Sequence, residues 1–288
     1  MKRRDFLKYT SSSILLPSIV SSMHANEYEI LKNQLFPTDL LSTAFSLKDF
    51  DDSEDLEFTT KKNNINSDIF IEKEFLPELI STRKKLKYIQ RYVGYGNFNI
   101  IGFDDMLKIT KNTSRIETFT KAELDFLESI FYYNPTIHGF YGERISHNIT
   151  EKINKKETIK IPHTGHYLFK GEAEKTYSKM CDDVGPSLTL TSGIRSIVKQ
   201  TKLFLDKLES VNGNLTVASK SLAPPAYTYH SIADFDVGKK GFGHANFTSR
   251  FALTNEFIKM RKLKYIKMRY TINNKDGVRY EPWHVKVI

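Results

Sequence analysis

Leu188-Thr189-Leu190-Thr191-Ser192-Gly193-Ile194-Arg195-Ser196-Ile197-Val198-Lys199 reads as two elements joined at a glycine. Residues 188–191 alternate apolar and β-branched polar side chains, the pattern of a half-buried strand that ends at Ser192-Gly193. From 194 to 211 the period changes. Ile197, Thr201, Phe204, Leu205 and Leu208 fall on one helical face, and Gly213 stands just past the end. Further strands are expected downstream at 232–237, 266–272 and 284–288, and one upstream at 161–169. Before that the chain is helical. Residues 69–92 carry a helical pattern without a clean cap, and Thr120-Lys121-Ala122-Glu123 is a capping box ahead of Leu124, Leu127, Ile130 and Phe131. Helices early and strands late predict an α+β fold.

The chain has 288 residues, 40% hydrophobic and 27% charged, a globular profile. Nothing in it approaches the roughly 20 apolar residues of a membrane helix, so no stable span is expected. The net charge of +9 suits an anionic partner, either nucleic acid or a carboxylate-rich wall. The single cysteine, Cys181, excludes an intramolecular disulfide and a cysteine-rich zinc cage, and reads as a buried small apolar residue.

Three clusters carry candidate chemistry. They are Ser192-Gly193-Ile194-Arg195-Ser196, the run from Pro224 to Val237 that contains Thr228, His230, Asp234 and Asp236, and Tyr280-Glu281-Pro282-Trp283-His284. A hydrolytic zinc site needs three ligands of the histidine or carboxylate type with an open fourth position. It also needs a base that is not on the metal and a positive group where the carbonyl oxygen gains charge. His230, Asp236 and His284 would supply the ligands, Glu281 the base and Arg195 the electrophile. In an unbroken strand Glu281 and His284 would face opposite sides; Pro282 between them interrupts the ladder and makes a shared site easier to reach.

These motifs, in this order, resemble the zinc D-alanyl-D-alanine carboxypeptidases of the VanY type. That family carries Ser-Gly-x-Arg-Ser, Ser-x-His-x-x-Gly-x-Ala-x-Asp and a C-terminal Glu-Pro-Trp-His. Arg195, His230, Asp236, Glu281 and His284 fall on its functional positions, and Phe242-Gly243 and Arg269-Tyr270 look like its neighbours. The resemblance runs from about residue 161 to the C-terminus. It implies one zinc-peptidase domain over 151–288, with a small, mainly antiparallel sheet flanked by helices; the helical region over 69–150, read from its own residue pattern, lies in front and outside the resemblance. It implies Zn2+ as cofactor and the peptidoglycan stem peptide as substrate, with Thr228 and Ser192 contacting that substrate. Two departures stand out. His230 to Asp236 is six residues where the family has seven, and the motif glycine is replaced. Asp234 is therefore a rival ligand.

The first 25 residues look like a secretory signal, with Lys2-Arg3-Arg4-Asp5-Phe6-Leu7-Lys8, a mild apolar run and Ala25. The paired arginines resemble a twin-arginine signal. That implies passage through the twin-arginine machinery to the periplasm or cell envelope, and argues against nucleic acid as partner. His24 would leave with the signal. Residues 26–68, acidic over 49–55 and polar over 59–68, read as a tether.

Other readings stay open. Carboxypeptidase action on an L,D bond and endopeptidase action would use the same zinc site, and a non-catalytic wall-binding protein would keep its outline. A serine peptidase of the penicillin-binding kind is suggested by Ser196-x-x-Lys199, Ser210-x-Asn212 and His163-Thr-Gly165, though in the wrong order. His163 and His166 are expected on opposite faces of a strand, which argues against a joint metal role. His244 is expected as an exposed loop residue.

Overall fold

The protein is described here from a computed structural model covering residues 68–287. The signal and nearly all of the tether lie outside those residues. The helical part opens with α1 (Leu76–Val93), whose buried residues Leu79, Thr82, Leu86 and Ile89 recur every three or four positions. It starts later than the periodicity suggests, because residues 69–71 join the segment at 213–214 instead: the Ile71 N–H donates to Gly213 O at 2.9 Å and Phe70 bridges to Asn214. Three more helices follow, α2 (Tyr95–Phe98), α3 (Phe103–Asn112) and α4 (Lys121–Tyr132).

The capping box of α4 forms in both directions. Thr120 Oγ1 accepts from the Glu123 N–H at 3.2 Å, and Glu123 Oε2 accepts from the Thr120 N–H at 2.7 Å. The same Oε2 takes a 2.6 Å ion pair from Lys85 Nζ of α1, and both side chains are nearly out of solvent. Burial alone would raise the Glu123 pKa, but the bonds from Lys85 and Thr120 outweigh it and hold the carboxyl below its ordinary value. A carboxylate with a depressed pKa contributes stability above its unfolded value and loses it as pH falls. Glu123→Ala, which strands a buried ammonium, is expected to cost about 3 kcal/mol near neutral pH in urea unfolding, with the deficit shrinking in acid.

The sheet part begins with a small hairpin, β1 (Thr158–Lys160) and β2 (Tyr167–Phe169). The strand expected over 161–169 is thus only its last three residues. Pro162 lacks a ladder donor, and His163 and Gly165 adopt left-handed φ of 61° and 75°, so 161–166 is the turn. Helix α5 (Glu172–Val184) then leads to β3 (Leu188–Ser192). Helix α6 runs over Ile197–Ser210, three residues later than the apolar period suggested, because Ser196 is its N-cap. After α7 (Leu215–Ser221) come β4 (Phe235–Lys239), α8 (Asn255–Met260), β5 (Lys267–Met268) and β6 (His284–Lys286).

The second sheet is four-stranded and antiparallel, in the order β3-β4-β6-β5. The α+β expectation holds, but three strands are displaced or shortened. Residues 232–234 are drawn into a turn, their N–H groups all donating to Tyr229 O, so β4 begins only at Phe235. The strand expected over 266–272 is two residues long, and β6 ends at Lys286.

One buried apolar cluster runs from Ile71, Leu86 and Phe126 of the helical part to Phe204, Leu208, Tyr227 and Tyr270 of the sheet part. The change at residue 150 is therefore one of composition, while the core is shared. No helix among the described residues is long and apolar enough to cross a membrane. Cys181 is half-buried on α5, less enclosed than its residue type suggested.

Candidate metal centre and active site

Sheet register assembles the centre. Ser192 of β3 lies opposite Asp236 of β4, and Asp236 lies opposite His284 of β6, so three side chains share one row across three strands. Phe235, the other way up on β4, meets Tyr177 of α5 edge to face. His230 arrives from a short 3-10 turn, Tyr229–Ser231, capped by the Thr228 hydroxyl. Gly193 is required at the end of β3, since a Cβ there would stand 2.0 Å from the Tyr167 carbonyl oxygen. Gly193→Ala is expected to cost about 3 kcal/mol or more in urea unfolding, because the clash is with backbone that no rotamer change relieves.

His230, Asp236 and His284 are each buried and offer one ligand atom apiece, all within 4.8 Å of one another. The far nitrogen of each ring is taken. His230 Nδ1 donates to Gly193 O at 2.8 Å, and His284 Nε2 donates to Asp234 Oδ2 at 3.0 Å. These bonds fix the tautomers and leave His230 Nε2 and His284 Nδ1 turned inward. His230 Nε2 is 3.3 Å from Asp236 Oδ1, and His284 Nδ1 is 3.4 Å from the same oxygen. His230 Nε2 and Asp236 Oδ1 are buried with no hydrogen-bond partner among the described residues, which is costly unless a cation joins them. The donor set of two imidazoles and one carboxylate therefore fits a zinc ion.

Two of the three charges agree with that fit, and the third, His284, holds a proton that a metal ion would have to displace. Burial, then the Arg195 charge, lower the His230 pKa to about 4, keeping its ring neutral. Burial would raise the Asp236 pKa, but His230 and Arg195 hold it well below the usual carboxylate range. Burial would lower the His284 pKa; hydrogen bonds to Asp234 and Glu281 outweigh it and push the value up to about 9.

Asp234 and Asp236 divide the work that the sequence left open between them. Asp234 is 1% exposed, and both its oxygens are engaged: Oδ2 by His284 and Arg269, Oδ1 by Arg269 at 3.1 Å and by the Val287 N–H at 3.0 Å. The Arg269 guanidinium lies 3.4 Å from the Tyr229 ring centroid. Asp236 gives Oδ2 to Arg195 and keeps Oδ1 for the centre. The residue two positions before Asp236 thus braces a ligand ring from outside, a role that nothing in the sequence signals.

Glu281 stands beside the three, its Oε2 3.4 Å from His284 Nδ1. Residues 281–283 form a turn in which the His284 N–H donates to Glu281 O at 3.1 Å, and this brings the two side chains to one side. Arg195 is held by Asp236 and, through Nε, by Ser192 Oγ at 2.8 Å. Thr228 is buried, its hydroxyl accepting from the His230 N–H at 3.3 Å. His163 is exposed in its turn and His244 is exposed as expected, whereas His166 is half-buried.

Ser196 is buried, and its hydroxyl accepts from the Lys199 N–H as a helix cap at 3.3 Å. Ser210 ends the same helix, about 20 Å along its axis. The Ser-x-x-Lys pattern is therefore a helix start and not a serine peptidase centre.

Residues 168–288 match the family described as VanY: D-alanyl-D-alanine carboxypeptidase. No curated protein matches the chain. Among solved structures, similarity is found to a zinc-bound mutant of the vancomycin-resistance D,D-pentapeptidase VanY, at 16% identity and a TM-score of 0.34, covering 46% of this chain and 78% of that one. The LD-carboxypeptidase LdcB is similar at 24% identity and a TM-score of 0.37, covering 55% and 70%. The D,D-dipeptidase VanXYg bound to a D-Ala-D-Ala phosphinate analogue is similar at 18% identity and a TM-score of 0.40, covering 52% and 62%. Over residues 168–288, the stretch that carries Arg195, His230, Asp236, Glu281 and His284, the chain is thus similar to the VanY family of D-alanyl-D-alanine carboxypeptidases.

Proposed function

We propose that the protein removes the terminal D-alanine from peptidoglycan stem peptides, outside the cytoplasm, with zinc held by His230, Asp236 and His284. The observation that carries this reading is the convergence of His230 Nε2, Asp236 Oδ1 and His284 Nδ1, two of them buried without a hydrogen-bond partner among the described residues, beside the Glu281 carboxylate. Zinc bound there would acidify water and polarise a carbonyl.

The chain's own residues do the rest. Gly193 O and Asp234 keep the two rings in the tautomers that present their free nitrogens inward. Glu281 takes the proton of the attacking water and returns it to the leaving amino group. Arg195 offsets the charge that grows on the carbonyl oxygen. Thr228 and Ser192 contact the substrate, a reading supported by their family positions. Export is supported by the first 25 residues and fits a wall substrate.

The test is to incubate the zinc-loaded protein with defined muropeptides and weigh the products. Loss of one D-alanine from a pentapeptide, abolished by a chelator, is the expected result. Loss of D-alanine from a tetrapeptide instead would assign an L,D bond, and opening of a cross-link would assign an endopeptidase. Intact peptides beside stoichiometric zinc would overturn the enzymatic reading in favour of a wall-binding protein.

A further inference from the structure

Arg195, Lys199 and Lys202 recur every three or four residues across the start of α6, and one of them has no acid in ion-pair contact. Arg195 is paired with Asp236, and Lys202 with Asp206, which also takes Arg83 at 2.7 Å. Lys199, between them, has no carboxylate within ion-pair distance among the described residues. Yet it is half-buried and within the field of Arg195. Burial first, then Arg195 and Lys202, lower its pKa to about 8 against the opposing charge of Asp206, so it stays largely charged at neutral pH. A half-buried ammonium near a guanidinium is unfavourable unless an anion joins it.

His166 is held near the start of the same helix. Asn99, itself 2% exposed, clamps it there. The Asn99 carbonyl accepts from the Ser196 N–H at 2.8 Å, tying it to the start of α6. Its Nδ2 donates to Gly165 O at 3.1 Å and to His166 Nδ1 at 3.4 Å. Since an amide nitrogen only donates, Nδ1 is the acceptor, and the ring's proton sits on Nε2. Burial, then Lys199 and Arg195, lower the His166 pKa to about 4, so the ring is a neutral donor. The carbonyl of the next residue, Tyr167, accepts from the Ile194 N–H at 2.8 Å, which places His166 beside the segment that carries Arg195.

We propose that the Lys199 ammonium and His166 Nε2–H form a subsite for a carboxylate of the substrate, beside the metal-ligand cluster and braced by Asn99. The proposal rests on the peptidase reading and deepens it by making substrate charge a determinant of specificity. A divalent ion, Arg195 and Lys199 against Asp236 and Glu281 leave the cleft with a positive excess, and a peptide carboxylate would balance part of it. That carboxylate has two sources, the free C-terminus of the peptide or an acidic group on its side chains.

The experiment uses three acylated peptides: one ending in Lys-D-Ala-D-Ala, its C-terminal amide, and a version with diaminopimelate in place of lysine. Binding is measured by calorimetry to the zinc-loaded full chain carrying Glu281→Gln to slow turnover. One of the two carboxylates is expected to raise affinity at least about tenfold, and which one does so identifies the source. Lys199→Gln should erase that gain, Lys199→Arg should keep it and His166→Phe should reduce it, all with zinc content unchanged. Equal affinity for charged and neutral peptides, or a gain that survives Lys199→Gln, would overturn the subsite. Hydrolysis of the same peptides by the parent protein is scored separately. Turnover without a Lys199-dependent preference defeats the subsite alone, and preference without turnover defeats the peptidase reading alone.

Discussion

Glu281→Gln is expected to leave one zinc ion per chain and to lower turnover at least about a hundredfold. The amide keeps the shape and burial of the carboxylate but can no longer accept the proton of the attacking water. Since Glu281 is not among the three converging ligands, metal content should be untouched. Full activity in this variant would remove Glu281 from the role of base. Loss of zinc would make it a ligand. Metal content by mass spectrometry and D-alanine release, measured on the same sample, separate the two outcomes.

The second large effect distinguishes the two neighbouring aspartates. Asp236→Ala should abolish stoichiometric zinc binding, because it removes the oxygen to which both free ring nitrogens point. Asp234→Ala should still bind zinc, with affinity lowered by about ten- to a hundredfold, because it removes only the brace that fixes His284. It also strands the half-buried Arg269, so a stability loss should accompany it. Asp234→Asn, which can still accept from His284, is expected to fall between the parent and alanine. Chelator competition gives the affinities. A reversed pattern, with Asp234→Ala empty and Asp236→Ala loaded, would exchange the two assignments.

What could be read in the sequence follows from what constrains residue type. Few side chains can coordinate zinc or stabilise an oxyanion, so Arg195, His230, Glu281 and His284 stand out from their clusters, and the structure brings them together with Asp236. The α4 capping box was legible for a similar reason: its bonds are local, three residues apart. Strand bounds were less legible. The run over 161–169 looks like a strand by hydropathy, but Pro162 and the positive φ at His163 and Gly165 make most of it a turn. Least legible was everything that depends on partners far along the chain. Asp234 meets His284 fifty residues away, and Asn99 reaches a histidine sixty-seven residues on. No spacing or periodicity announces such pairs. The six-residue interval from His230 to Asp236 made Asp234 a rival ligand by spacing; in the fold Asp234 instead grips the back of the His284 ring.

The apolar cluster that runs unbroken across residue 150 bears on how this protein can be handled. A gene trimmed to encode only 151–288 would strip α6 of its packing against α1, take away Asn99, and release a product with naked greasy faces, prone to inclusion bodies. Anyone seeking a minimal catalytic fragment should keep everything from residue 68 onward.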